Sequence, residues 1–527
     1  MVRWNNRKAK RKRSRTDGKG EKQGEKHGLL TSELSHNLQE IRQAIGHAPD
    51  VVIHEFMVRK TRIRAAVIYV SGLSDTTAVQ EHLLKPLMSP STETDVPEDF
   101  EDVSRLKDEM ESIVRIHKDK EVDTLDDCIL EVLSGNTILL IEGSEQVLVY
   151  LTPGWKTRTP EEPITESVVR GPRDGFVESL NQNIVLLRRR IKDPDFTMVN
   201  YQIGRRSKHQ LSVVYIRGIA NGDLVNEVKR RVERIDIDDL QESGFIEQLI
   251  EDNYLSPFPQ VQNTERPDRV MAALMEGRVA ILLDGTPSVL IVPVTFSMLL
   301  QAPEDYYERW LIGTLIRLMR FGATLITLFL PALYIALVSY HQGLIPTKLV
   351  ISIAATREGV PFPSFIEAFM MEVMIEVLRE AGLRLPKQIG QAVGIVGGLV
   401  IGEAAVTAGI VSPVMVIVVA STAVASFAVP QYGAGISLRM LRFLAMFTAA
   451  VLGLYGIILF FLMVSIHLVK LKSFGVHYTS PLAPYRPRDW KDFFYRMPLF
   501  RMKRRPKLLD PEEEARMKSR LDPIEEG

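Results

Sequence analysis

A single cysteine, Cys128, occurs in 527 residues. One thiol excludes an intramolecular disulfide, a zinc cluster built on thiolates and an iron–sulfur site, each of which needs at least two such ligands. Its context, LDDCILEVL, reads as a buried helix position and an inert core thiol rather than a nucleophile. The sequence also lacks a Gly-x-Ser-x-Gly elbow, a P-loop, a His-Glu-x-x-His pair and a metal-ligand cluster. The expectation is therefore a non-enzyme with no cofactor and no metal. No apolar stretch of the signal-peptide kind occurs near Met1, which predicts that residues 1–300 fold in the cytosol. An excess of either charge is missing as well, since 65 Lys and Arg balance 65 Asp and Glu. That balance hides a segregation. The stretches 321–340, 388–430 and 443–466 share one carboxylate, Glu403, while charge crowds residues 1–310 and returns after 470. One part of the chain suits water and the other suits lipid.

Residues 1–28 carry eleven Lys and Arg against three acids and almost nothing apolar, the pattern of a disordered basic tail. Attraction to an anionic leaflet and simple solvation both fit it. Nucleic acid fits poorly, because no aromatic residues are interleaved to stack on bases. Between 30 and 300 an internal repeat appears. RIRAAVIYVSGL (62–73) parallels HQLSVVYIRGIA (209–220), pairing Gly72 with Gly218. SGNTILLIEGSEQVLVYL (134–151) parallels EGRVAILLDGTPSVLIVP (276–293), pairing Gly135 with Gly277 and Gly143 with Gly285. In each half, β-rich runs flank a tight turn and charged helical sequence intervenes, so each reads as an α/β unit with hairpins rather than a doubly wound sheet. The predicted organisation is a basic tail (1–28), subdomain 1 (29–155), subdomain 2 (156–302), a membrane domain (303–470) and a cytosolic C-terminal tail (471–527). The fold class is α+β: two similar α/β subdomains followed by an α-helical multi-pass membrane domain.

The join near 152–170 is rich in proline and breaks every periodicity. Beyond it, Gly171, Pro172 and Gly175 make a turn flanked by Arg170 and Arg173, and a helical stripe over 176–191 closes on Arg188, Arg189 and Arg190. Two readings stand. A phosphate sits at the helix start, or these arginines hold the domain against acidic surfaces or lipid headgroups; the spacing matches neither a P-loop nor a dinucleotide fingerprint.

Residues 321–340 are free of charge and long enough, at about 1.5 Å per residue, to match a bilayer core of about 30 Å. Arg309, Arg317 and Arg320 precede them and place that end in the cytosol. Spans are predicted at about 315–340, 388–410, 413–430 and 441–468, with a bend at Ser412-Pro413. The basic residues after 470 put the C-terminus on the same side as the N-terminus. Four crossings satisfy that parity, so the helix predicted at 364–381 should lie at the interface without crossing. Ser364 and Glu367 there form a Ser-x-x-Glu capping box, and Glu372, Glu376 and Glu380 repel at i,i+4 unless cations or water attend them. An interfacial helix with a wet side and a vestibule that draws cations are the two readings. Small residues recur at Gly390, Gly394, Gly398 and Gly402, a stripe that lets helix backbones approach closely. Glu403 adjoins it. A carboxylate in a bilayer is costly and reads as part of an ion pathway, a structural hydrogen bond or a proton-coupling site. Val400 on the same helix is a candidate pore-lining residue.

The stretches EPITESVVRGPRDGFVESLNQNIVLLRRRI, SPFPQVQNTERPDRVMAALMEGRVAILLDGTP, ATREGVPFPSFIEAFMMEVMIEVLREAGLRLP and VGIVGGLVIGEAAVTAGIVSPVMVIVVASTA resemble the A subunit of the GerA-type spore germinant receptors over roughly 160–470. The resemblance implies a place in the inner membrane of a bacterial endospore, with both termini cytoplasmic. It also implies a transporter-like B subunit that binds the nutrient, a lipoprotein C subunit, and membrane lipid around a homo-oligomer, a pentamer by that resemblance. The implied function is a nutrient-gated channel releasing monovalent cations. A proton-coupled carrier and a non-conducting signalling scaffold are the alternatives.

Overall fold

The three glycine pairs of the repeat all adopt the left-handed backbone: Gly72 and Gly218 at φ 86° and 75°, Gly135 and Gly277 at 94° and 99°, Gly143 and Gly285 at 86° and 95°. Residues with a Cβ rarely tolerate that region, so the repeat conserves turns as well as strands. The computed structural model describes residues 28–58, 63–88, 114–152, 154, 163, 166, 168–385, 398, 400 and 402–517. The predicted tail at 1–27 lies outside them.

Subdomain 1 contains α1 (Leu34–Ala44), β1 (Val51–Met57), β2 (Arg64–Val70), β3 (Lys118–Val122), α2 (Leu125–Leu133), β4 (Thr137–Ile141) and β5 (Val147–Tyr150). Subdomain 2 contains α3 (Leu180–Arg190), β6 (Phe196–Ile203), β7 (His209–Ile216), α4 (Gly222–Glu233), α5 (Ser243–Ile250), β8 (Gln262–Thr264), α6 (Pro267–Glu276), β9 (Val279–Leu283) and β10 (Val289–Val292). Each makes a five-stranded antiparallel sheet, β1-β2-β4-β5-β3 in one and β6-β7-β9-β10-β8 in the other, the same order twice. The inner strands β4 (TILLI) and β9 (VAILL) are buried at every position because apolar clusters cover both sheet faces. Local chemistry starts and stops the helices. Thr124 Oγ1 accepts from Asp127 N–H at the head of α2, and Pro267 opens α6 before left-handed Gly277 closes it.

The remaining helices form an apolar bundle: α7 (Trp310–Ser339), α8 (Thr347–Arg357), α9 (Ser364–Arg384), a helical stretch over 402–407, α10 (Pro413–Phe427), α11 (Tyr432–Leu452) and α12 (Leu454–Lys470). Contacts fix their directions. Helix α7 leaves the N-terminal region, and its far end meets the far end of α11, where Tyr340 donates to Ala450 C=O at 2.5 Å. Helix α9 begins beside that end, with Ser364 and Ser339 hydroxyls 2.7 Å apart, and returns until Arg379 reaches Ser426 at the close of α10. Helices α11 and α12 are a hairpin whose two feet stand on one loop of subdomain 2: Ser437 bonds Pro257 C=O, and His467 bonds Ser256 at 2.9 Å.

Three expectations change here. Helix α9 runs along the bundle for about 31 Å over its 21 residues, and the side expected to be wet is partly buried, with Glu372 against α11, Glu376 and Arg379 half-buried and Glu380 exposed. The predicted capping box does not form, because Ser364 is itself helical, with its hydroxyl on Ser339, and Glu367 points elsewhere. The span predicted at 441–468 is two helices, since Gly453 (φ 60°) reverses the chain between α11 and α12. The bend at Ser412-Pro413 is where the sequence placed it, with Ser412 capping α10.

Candidate functional site

Buried charges dominate the bundle. Glu372 of α9 meets Arg442 of α11 at 2.7 Å, both side chains 1% exposed. One turn further, the Glu376 carboxylate lies 3.3 Å from Arg439 and 3.4 Å from Arg379. The cations that the Glu372, Glu376, Glu380 spacing requires are thus arginines of the same chain, with Arg384 serving Glu380. Glu367, fully buried, takes Arg357 at 2.7 Å and accepts from the Ser412 N–H and hydroxyl at 3.1 and 3.0 Å, tying α8, α9 and the head of α10 together. Sequence reasoning missed Arg439 and Arg442. Their signal was available: two cations at i,i+3 in an otherwise apolar helix, matched to two carboxylates at i,i+4 on another.

Arg317 and Arg320, which precede the charge-free run 321–340, lie within the first half of α7. Asp305 takes both, at 3.2 and 2.6 Å, and Asp492 of the C-terminal tail takes Arg317 at 2.7 Å. Arg496 of the tail donates to the carbonyls of Asp305 and Glu308. The tail after 470 is therefore folded against subdomain 2 and the foot of α7.

The Arg170–Arg173 turn is held from beneath. Arg266 grips Asp268 and donates to the carbonyls of Glu166 and Pro172, while Gly171 (φ 139°) lies where an added Cβ would meet the Tyr307 ring at 2.6 Å. Arg170 and Arg173 are exposed. Helix α3 begins at Leu180, and its first N–H groups already have a carboxylate: Leu180 N–H donates to Asp284 Oδ1 at 2.9 Å. A phosphate is thus not needed there. The same device recurs in subdomain 1, where Leu34 N–H approaches Glu142 Oε1 at 3.4 Å. Asn37 and Asn183 repeat it again, each bridging both backbone groups of a residue six positions earlier, Thr31 and Val177. Arg188 is buried, grips Asp50 of subdomain 1 at 2.9 and 3.0 Å and stacks over Phe196. Arg190 pairs with Asp174, and Arg189 is exposed. Cys128 is fully buried, and desolvation, reinforced by Asp127 and Glu131, pushes its thiol up to about 12, which leaves no thiolate at neutral pH.

Of the small-residue stripe, Gly390 and Gly394 lie outside the described residues. Gly402 packs on Val416 Cγ1 at 3.6 Å, whereas Gly398 has no neighbour within 4 Å of an added Cβ. Val400 and Glu403 are exposed beside it.

Residues 39–508 match the family described as Bacillus/Clostridium GerA spore germination protein. The chain belongs to the GerA family. It is 45% identical over 484 residues to spore germination protein GerLA of Bacillus cereus, covering 92% of this chain and 97% of that one. It is 46% identical to spore germination protein A1 of Bacillus subtilis (strain 168), covering 86% and 91%. An uncharacterized membrane protein of the same organism, YfkQ, is 42% identical, covering 90% and 91%. A crystal structure of the N-terminal domain of the A subunit of the Bacillus megaterium spore germinant receptor GerK3 is 34% identical, covering 51% of this chain and 98% of that one, with a TM-score of 0.40. This GerA-family chain carries two α/β sheets before its helical region.

Proposed function

We propose that this chain is the membrane subunit of a nutrient-germinant receptor in the endospore inner membrane, and that several copies join into a cation conduit whose opening starts germination. A transporter-like B subunit and a lipoprotein C subunit complete the receptor in this reading, and the nutrient binds outside this chain.

Support for a bilayer setting comes from the outer surface of the bundle. Helix α12 buries Gly456, Phe460 and Val464, an i, i+4, i+8 line, and exposes Ile458, Leu459, Phe461, Leu462 and Met463. An apolar surface of that extent needs lipid or protein around it. Exposed Trp310 and Tyr432 mark the cytosolic foot of the bundle, and exposed Tyr340 and Tyr455 its far end. Along the helices these ends lie about 45 Å apart in α7 and about 31 Å apart in α11, a range that suits aromatic belts at the two faces of a bilayer.

The observation that carries the conduit is Glu403, a carboxylate exposed on this apolar bundle beside Val400 and Gly398. Facing hydrocarbon it costs roughly 2.5–3.5 kcal/mol. Facing copies of itself across water, the cost falls, the small residues permit close approach, and the carboxylates attract cations while Val400 forms an apolar constriction. A nutrient-driven change at the B subunit then shifts the packing between copies.

The test uses the full chain in liposomes. Because Cys128 is buried, a Gly398→Cys substitution supplies the reactive thiol for cross-linking. Expected are cross-linked multimers, and a potassium flux that Glu403→Gln reduces and Val400→Ala raises. Only monomers, together with flux indifferent to both substitutions, would sink the proposal.

A further inference from the structure

A cavity of about 510 Å³ opens where subdomain 2, the foot of α7, the end of α9 and the α10–α11 connection converge. Four guanidinium groups line it, from Arg269, Arg320, Arg379 and Arg439. The carboxylates nearby are already engaged. Glu166 holds Arg269 at 2.6 Å, Glu304 accepts from Val169 N–H at 2.6 Å, and Asp305 divides itself between Arg320 and Arg317. Glu376 is shared by two arginines at 3.3 and 3.4 Å. The lining itself thus sets four arginines against two carboxylates, Glu166 and Glu304, while Asp305 and Glu376 are not among the residues that line the cavity.

Arg439 is the sharpest sign of a missing anion. Only 8% of its surface is exposed, yet among the described residues its guanidinium makes no hydrogen bond, and its sole ionic contact is the longer approach to Glu376. Arg320, also 8% exposed, uses one nitrogen on Asp305. Buried donors of this strength normally have partners. The rest of the lining suits an amphiphile. Arg439 stands over the Tyr432 ring and Arg379 over the exposed Phe427 ring, and Leu383 continues the wall onto the apolar face of α9. Basic pockets between membrane helices on the cytosolic side hold the headgroups of anionic lipids, and an arginine fork matches phosphate oxygens.

We propose that this cavity binds a phosphate group, and that its source is the headgroup of an anionic phospholipid whose chains lie along α9 and α10. Because the cavity touches subdomain 2 and four bundle helices, an occupied site braces the N-terminal region against the bundle. The inference rests on the bilayer setting proposed above.

The full chain is placed in nanodiscs of phosphatidylcholine with and without phosphatidylglycerol, and lipid retained by the released protein is counted by native mass spectrometry. Phosphatidylglycerol is expected to be retained over phosphatidylcholine and to raise the unfolding temperature. Losing one charge-assisted hydrogen bond in Arg439→Gln should weaken retention about tenfold, with Arg439→Lys recovering part of it. Arg439→Gln leaves Glu376 paired with Arg379 and should fold. Arg384→Gln, which removes an exposed charge outside the cavity, should change nothing. Equal retention of both lipids, or equal retention by wild type and Arg439→Gln, overturns the site. Inorganic phosphate stabilising the protein in pure phosphatidylcholine discs as much as phosphatidylglycerol does overturns the lipid source and assigns the cavity to the free ion. Failure to enter nanodiscs at all defeats the bilayer setting instead.

Discussion

Glu372 and Arg442 show how much depends on the company a buried charge keeps. Each is 1% exposed, so each needs the other at 2.7 Å. Removing one partner from such a pair costs about 3–5 kcal/mol, whereas replacing both by apolar residues of similar volume is often neutral. Arg442→Met is therefore expected to lower the unfolding temperature of the full chain in detergent sharply, and Glu372→Leu added to it should restore most of the loss. A double variant no more stable than the single one would show that the two side chains are held by something else. Glu247 in subdomain 2 has no cation beside it. Burial, with Glu251 and Glu242 nearby, pushes its carboxyl from 4.5 up to about 7. The folded state thus keeps a proton that the unfolded state loses above 4.5, so this residue's stabilising contribution is present below 4.5 and disappears as pH rises to about 7. Glu247→Gln should gain about 1 kcal/mol at pH 8, after discounting for partial exposure, and nothing at pH 4. Thermal unfolding of wild type and variant across that range reads the difference directly.

Among the elements, the α11–α12 hairpin depends on close approach rather than on polarity. A Cβ on Gly456 would stand 2.0 Å from Thr448 C=O, a backbone atom that cannot swing aside. Gly456→Ala is expected to cost about 3 kcal/mol or more, the scale of strong overpacking, and to release the feet of the hairpin at Ser437 and His467 from the loop at 256–258. Gly322→Ala in α7, where nothing lies within 4 Å, should be silent or slightly stabilising. Hydrogen exchange over α11 and α12 separates the two outcomes. The sequence hid this hairpin because an uninterrupted apolar run over 443–466 satisfies a single span as well as two shorter helices; hydropathy records composition, while the reversal resides in one glycine's backbone angle. The two five-stranded sheets were legible for the opposite reason. Their turns need left-handed glycines at fixed intervals, so Gly72, Gly135 and Gly143 reappear as Gly218, Gly277 and Gly285. The repeat extends further than its glycines suggest, to Asn37 and Asn183 and to the capping carboxylates Glu142 and Asp284, because these polar bridges recur with little identity around them. The role of α9 was illegible for a third reason. Its carboxylates look wet until Arg439 and Arg442, more than 60 residues away in sequence, are brought against them.

For the whole molecule, the decisive connection is the one between subdomain 2 and the bundle, and the C-terminal tail makes much of it. Asp492 accepts from Arg317 at 2.7 Å and from the Tyr306 hydroxyl at 2.6 Å, and its backbone carbonyl accepts from Gln301 at 2.8 Å. Arg317 is wholly buried, so it cannot turn to water if Asp492 is lost, and Asp305 already serves Arg320. Asp492→Ala therefore leaves two buried guanidinium groups on one carboxylate, an imbalance worth about 3 kcal/mol or more. Relief is available only by undocking, since the tail can peel from the foot of α7 and let solvent reach Arg317. The expected result is rapid proteolysis and hydrogen exchange over 487–517 and over the first turns of α7, while the sheet of subdomain 1 keeps its protection because its cores hold no tail residue, and Phe474 at the start of the tail stays in a core of subdomain 2. Arg488→Ala, which removes a largely exposed pair with Glu514, should stay within about 0.5 kcal/mol of wild type. If Asp492→Ala leaves the tail as protected as before, the aromatic stack of Phe321 on Phe493 and Phe494 must hold the tail by itself. The charge network would then follow docking rather than cause it.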